Sequence, residues 1–517
     1  MQTMVSRRRP NGALAVTAAA AFALVLAVLA IAAQSALARD DSVTSFDGTR
    51  IMLSFFPAEG LQAGQRAPTV LVGPGWGVPR DTDENSQTLD SFGTIGLGPL
   101  RAAGYNVLTW DPRGFGQSGG TVEVDSPAYE ARDASALIDY VARQPEALLD
   151  KTSDPRVGMA GGSYGGGIQL VTAATDQRVD AITPDIAWNS LVTSLYKEQS
   201  VKGGWSNLLF GLGVASSTVP GLAACETGNL DPHIVSAYQS GLTTGQLSDE
   251  DVQWFASRGP GSLVGQIKAP TLLLQGTADT LFTLDEAIRN YAVLRSKRVP
   301  AKMVWFCGGH GACLTDAGPS KFTEQQILNW FGRYLDRDRS VDTGARFQWI
   351  ADDGQVRTAV DYPLPLKQLV TGTGAGTLAV APDAAGSGTS IAATPGTNAV
   401  RVPIPAPAPG SQVVGAPKLT IAYSGLANQT SVLLYAQIVD DKRHVVVGNM
   451  VTPFRVVLDG AVHTLTRSLE DLAASVQAGS SYPLEIVPYT AVYGPQRAAG
   501  AITMTMINVS LPVVSTP

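Results

Sequence analysis

Over its first two thirds the chain alternates between two hydrophobic periods. Residues 67–72, 105–110, 179–186, 270–274 and 302–306 are short apolar runs without strict polar alternation, the pattern of strands covered on both faces. Between them, residues 98–103, 129–141 and 285–294 carry Ala, Leu and Ile at helical spacing. Residues 45–56 read as a hairpin that turns at Asp47-Gly48 and alternates afterwards. Strands alternating with helices predict an α/β fold, a mostly parallel and doubly wound sheet with helices on both faces.

Two stretches break this rhythm. Residues 188–266 are rich in Gly, Ser and Leu and hold Tyr196, Trp205, Phe210, Tyr238, Trp254 and Phe255. They read as a helical cap inserted over a pocket, or as an excursion packed on the body. From Arg346 onward the runs shorten. Residues 347–350 (followed by Asp352-Asp353-Gly354), 419–423, 431–439, 444–447, 453–458, 484–488 and 501–513 are strands separated by turns, with one helical segment at 469–476. This predicts an all-β sandwich of jelly-roll type over residues 339–517, after a catalytic unit over 39–338. The Gly/Ala/Thr/Ser-rich stretch 371–397 and the Pro/Ala-rich stretch 403–409 read as surface loops.

Composition narrows the classes. The 517 residues exceed what one core organises, and the formal charge is -7. No Lys/Arg run occurs beyond the amino terminus, so there is no basic face for nucleic acid. Arg7-Arg8-Arg9, the apolar run 13–33 interrupted only by Thr17, and Ala36-Leu37-Ala38 form a secretory signal over residues 1–38. The expected location is therefore outside the cytoplasm, secreted or in the cell envelope; contact with a membrane follows only if the segment stays uncleaved as an anchor. In an exported chain Cys307 and Cys313, bracketing a short loop, are expected to form a disulfide, leaving Cys225 unpaired. The alternative is two reduced, small hydrophobic side chains.

Candidate chemistry centres on Gly161-Gly162-Ser163-Tyr164-Gly165. An apolar run enters it and a helical segment leaves it, the strand–turn–helix pattern of a nucleophile elbow. Positions two before and two after the serine must be small for strand and helix to approach. A Gly-rich phosphate loop is the competing reading, but no Lys-Ser/Thr pair follows. A serine nucleophile needs a base, a carboxylate to hold that base, and oxyanion donors. Of the four histidines, His444 and His463 fall in the predicted sandwich and His233 in the insertion, so His310, in Cys307-Gly308-Gly309-His310-Gly311, is the base by elimination. Asp279 ends the preceding strand and is the acid; its competitor, Asp285, sits where it opens a helix. The backbone N–H of Tyr164 and one from Gly75-Trp76-Gly77 are the oxyanion candidates, the latter set against an ordinary glycine turn. Arg113 and Asp111 read as loop braces. No His/Cys cluster has ligand spacing, so neither metal nor organic cofactor is expected. The order Ser…Asp…His is that of α/β-hydrolases.

Asp111-Pro-Arg-Gly-Phe-Gly-Gln-Ser118, the Gly162-Ser163-Tyr164-Gly165 elbow, Gln275-Gly-Thr-Ala-Asp279, the cap and the carboxyl-terminal sandwich resemble the Xaa-Pro dipeptidyl-peptidase and cocaine-esterase group. The resemblance spans nearly the whole mature chain. It implies a serine hydrolase with Ser163 as nucleophile, Asp279 as acid, His310 as base, and a jelly-roll domain beside the pocket. Cocaine-esterase-like members supply a tyrosine hydroxyl to the oxyanion; here Trp76 is the nearest aromatic, so its backbone or indole N–H must serve. No residue stands out as a partner for a free peptide amino terminus. The reading is therefore a serine hydrolase cleaving a small ester or amide, foremost an acyl esterase. Xaa-Pro dipeptide release is the alternative within that class, and a surface binding protein with a vestigial hydrolase body the alternative outside it.

Overall fold

Ten strands share one twisted sheet: β1 (Arg39–Thr44), β2 (Arg50–Phe56), β3 (Thr69–Val72), β4 (Asn106–Trp110), β5 (Val157–Gly162), β6 (Val179–Asp185), β7 (Thr271–Gly276), β8 (Ala301–Phe306), β9 (Phe347–Ile350) and β10 (Val356–Ala359). Their spatial order is β1-β2-β4-β3-β5-β6-β7-β8-β9-β10. Every pair from β4-β3 to β8-β9 is parallel. The outer pairs β1-β2, β2-β4 and β9-β10 are antiparallel. The computed structural model describes residues 37–217, 228–382 and 387–515. Residues 1–36, nearly all of the segment read as an export signal, and Cys225 lie outside them. Among the described residues no helix is long and apolar enough to cross a membrane.

The unbroken apolar runs have a direct cause: both sheet faces are covered. Leu273, Met303 and Trp305 point into one core with helices Glu130–Val141, Tyr164–Thr175 and Leu284–Ser296. Their neighbours Leu272, Leu274, Val304 and Phe306 point into a second core with Leu97–Ala102 and Phe322–Tyr334. Between β6 and β7 the chain leaves the sheet for an insertion whose described residues include four α-helices, Leu191–Leu195, Gly203–Ser216, Pro232–Thr244 and Asp249–Ala256. Asp231 and Ser248 cap the last two, accepting from His233 N and Asp251 N.

The second unit is wholly antiparallel: β11 (Leu366–Val380), β12 (Val400–Val402), β13 (Gln412–Gly415), β14 (Lys418–Asp440), β15 (Val445–Asp459), β16 (His463–Ser468), β17 (Leu472–Ser475), β18 (Leu484–Val487) and β19 (Gly500–Val514). It encloses its own core around Ile421, Leu434, Phe454, Leu484 and Ile507.

Four sequence readings need correction here. Phe347–Ile350 does not open the sandwich; it extends the first sheet as β9, because all four residues are buried and Phe347 packs edge-on to Trp305 at 4.8 Å. Residues 469–476 are not helical: their apolar spacing suits a helix, but β17 pairs with β13, and tertiary pairing overrides the local pattern. The stretch 371–397 is not all loop, since β11 runs through Val380 and pairs with β19. Its glycines are where β12 lies close: a Cβ on Gly374 would come within 2.9 Å of Val402, and one on Gly376 within 2.7 Å of Val400. Finally, the predicted pairs 419–423 with 431–439 and 444–447 with 453–458 are each one long strand, β14 and β15.

Candidate active site

Ser163 stands between β5 and the helix Tyr164–Thr175 with φ 57° and ψ -117°, outside the regions an L-residue prefers. What over-determines that strain is the packing on each side. A Cβ on Gly165 would lie 2.1 Å from the Gly73 carbonyl oxygen, so only glycine lets the helix sit against the loop after β3. Ser163 N donates to Asp185 O at 2.9 Å, and Ser163 O accepts from the N–H groups of Gly166 and Gly167. Gln169 completes the clamp. Its buried amide donates to Gly161 O (2.9 Å) and Gly165 O (2.8 Å) and accepts from Thr183 N (3.0 Å).

The ends of β7 and β8 bring the partners. Asp279 is fully buried. Its Oδ1 accepts from Leu281 N (3.0 Å) and Phe282 N (2.9 Å), and its Oδ2 from His310 N (3.2 Å). His310 Nδ1 lies 2.7 Å from Asp279 Oδ2 and Nε2 2.8 Å from Ser163 Oγ. An ionised carboxylate only accepts, so Nδ1 carries the proton and Nε2 presents its lone pair to the hydroxyl. The imidazole is held edge-on by Trp205 (5.8 Å) and Phe282 (5.2 Å). Gly309, at φ 110°, brings the chain so close to Asp279 that a Cβ there would meet the aspartate's Cβ at 2.7 Å. The sulfurs of Cys307 and Cys313 are bonded, closing the loop that carries His310. Asp285 instead lies in the first turn of Leu284–Ser296, paired with Lys197 at 2.8 Å.

Of the two oxyanion candidates, Tyr164 opens the elbow helix and Trp76 faces it, with ring centroids 5.4 Å apart. The Trp76 indole is committed elsewhere, donating to Leu209 O at 2.8 Å, so only its backbone N–H is left of the two options read from sequence. Arg113 and Asp111 do not enter the site. Arg113 is buried against Asp133 (2.7 Å) and Asp47 (3.0 Å), and Asp111 accepts from Arg80 and Gln117. His233 pairs with Asp251 in the insertion and His463 with Asp459 in the β unit.

Sequence reading missed the groups that brace the acid loop. Lys202, buried at the start of Gly203–Ser216, donates to Thr280 O (2.7 Å) and Leu281 O (3.0 Å). Trp205 Nε1 donates to Thr280 Oγ1 at 2.9 Å, and that hydroxyl donates to Ile391 O. From the β unit, Glu470 bonds Lys197 Nζ (2.5 Å) and Thr283 Oγ1 (2.9 Å). Burial pulls the Lys202 ammonium down to about 8. Behind Tyr164 lie Asp125 and Glu130; burial pushes Asp125 well up from the usual carboxylate range and Glu130 to about 7.

Ser163 opens into a cavity of about 340 Å³. Its wall comes from three parts of the chain: the first sheet's loops (Trp76, Phe282), the insertion (Leu195, Phe210) and the β unit (Tyr489, Tyr493). Among its described lining residues there is no Asp, Glu, Lys, Arg or His. Nor, among the described residues, does any group of three or more His, Cys, Asp or Glu gather as a metal site.

Residues 47–312, just over half of the chain, match the model of the X-Pro dipeptidyl-peptidase family S15. The chain belongs to that family. A putative Xaa-Pro dipeptidyl-peptidase of Rhodopirellula baltica is 26% identical over 288 residues, which are 50% of this chain and 43% of that protein. The S15 chain thus spans less than half the length of this curated relative. Among solved structures, a CocE/NonD family hydrolase from Staphylococcus aureus superposes with a TM-score of 0.64 at 13% identity, over 92% of this chain and 93% of that one. An α-amino acid ester hydrolase gives 0.69 at 12% identity, over 92% of this chain and 96% of that one. At such identities the likeness speaks for fold: an α/β-hydrolase sheet with a helical insertion and a carboxyl-terminal antiparallel β unit of jelly-roll type.

Proposed function

We propose that this S15 family member is an exported serine hydrolase that cleaves a carboxylic ester by acyl transfer. The continuous hydrogen-bond chain Ser163–His310–Asp279 is the observation that carries the reading. Ser163 Oγ attacks the ester carbonyl while His310 Nε2 takes its proton; Asp279 holds the imidazole in the tautomer that can do so. The backbone N–H groups of Trp76 and Tyr164 receive the charge that develops on the carbonyl oxygen. His310 then returns the proton to the leaving alcohol. Water, activated by the same imidazole, releases the acid from Ser163.

Family membership favours a second reading, release of an Xaa-Pro dipeptide. Such a substrate presents an ammonium group beside the scissile bond, and burying that charge requires a paired anion. The described cavity wall has none, which supports ester over dipeptide.

A fluorophosphonate probe applied to separated cell fractions tests both chemistry and location. The expected result is one adduct on Ser163, in the medium or envelope fraction, absent from Ser163→Ala, with hydrolysis of p-nitrophenyl acetate falling at least about 10³-fold in that variant. A cytoplasmic adduct refutes export; no adduct refutes the nucleophile.

A further inference from the structure

The described wall of the cavity in front of Ser163 is mostly aliphatic and aromatic, and its polar side chains are neutral ones: Ser206, Asn207, Ser390 and several tyrosines. The Tyr196 hydroxyl bonds Gln246 and accepts from Leu247 N. The Trp76 indole N–H is spent on Leu209 O. Phe210 stacks on Tyr238 at 3.9 Å, presenting ring surface. Ionisable groups beside the lining positions also face elsewhere. Lys202, next to Val201 and Gly203, is bonded to the Thr280 and Leu281 carbonyls. Asp125, next to Val124, is fully buried behind the wall. Arg497 donates to the carbonyls of Leu242 and Thr243. A ligand group entering this space meets chiefly methyl, methylene and aromatic surface, with a few neutral hydroxyl and amide groups and no charged side chain among the described lining residues.

We infer that the substrate is an uncharged ester carrying an extended apolar chain, and that this chain lies in the cavity between the insertion and the β unit. The inference rests on the serine-hydrolase reading and goes beyond it by naming the substrate class. The physical basis is twofold. Each methylene moved from water onto the wall gains apolar burial. An ammonium or carboxylate on the same chain would lose its hydration without a charged partner among the described lining residues. The chain belongs either to the acyl or to the alcohol part of the ester; both share this chemistry.

Three substrate series on the full-length protein test it. The first lengthens the acyl part of p-nitrophenyl esters from acetate to octanoate; the second lengthens the alcohol part of alkyl acetates over the same range. In one of the two, kcat/KM is expected to rise about threefold per methylene, reaching at least about 100-fold overall. The third compares phenylalanine p-nitrophenyl ester with its 3-phenylpropanoate counterpart, which lacks only the amine; the neutral ester should be preferred at least about tenfold. Leu242→Asp, at a half-exposed position on the cavity rim, should lower the octanoate-to-acetate ratio at least about tenfold in the responsive series. Flat profiles in both length series, or preference for the amine, would overturn the inference even when the fluorophosphonate labels Ser163. Absence of both label and hydrolysis in every series removes the serine-hydrolase reading, and this inference with it.

Discussion

Lys202 is a residue whose whole effect passes through another. Its ammonium holds the carbonyls of Thr280 and Leu281, and the backbone N–H of Leu281 in turn donates to Asp279. It is thus a positioning residue for the proposed acid. Burial lowers its folded value to about 8 from the ordinary 10.5. The unfolded chain therefore binds the extra proton between those values, and stability from this group is full above about 10.5 and lost as pH falls to about 8. Wild-type protein is expected to gain stability as pH rises through this window. Lys202→Met should flatten that slope and, by loosening the loop, lower kcat more than it raises KM. Thermal melts from pH 7.5 to 10, beside steady-state kinetics, check both. The signal for Lys202 was absent from the sequence because its partners are main-chain carbonyls assembled by the fold. Ser163, Asp279 and His310 were legible because each sits at a strand end in a glycine-marked turn.

At the scale of elements, the elbow is held by space rather than by polar contacts alone. Gly165→Ala places a methyl where the Gly73 carbonyl oxygen stands, backbone that cannot step aside. The expected loss is about 3 kcal/mol or more, read as a shift of the denaturant midpoint, with activity falling as Ser163 is displaced. Buried parallel strands could be read from sequence because a run covered on both faces is apolar throughout. The strand Leu366–Val380 could not, because glycine is ordinarily a strand breaker. Here it is the residue that admits Val400 and Val402 across the face. The helical reading of 469–476 failed for the converse reason, a local period overruled by a distant pairing.

At the scale of the molecule, the two sheets meet at Glu470, a carboxylate of the β unit buried between Lys197 of the insertion and Thr283 of the acid loop. Removing it strands the Lys197 charge with Asp285 alone. Glu470→Ala is expected to destabilise by about 3–5 kcal/mol and to separate one calorimetric transition into two; Glu470→Gln, which keeps the shape, should do less. Because Tyr489 and Tyr493 close one side of the cavity, the β unit is no dispensable tail. A truncated chain ending after β10, at residue 360, would keep Ser163, His310 and Asp279, the proposed reacting groups, and yet lack a boundary for what they are proposed to react with. Under the proposed ester reading, preference for one alcohol or acid over another can therefore drift through exchanges near positions 489–495, far along the chain from the proposed nucleophile.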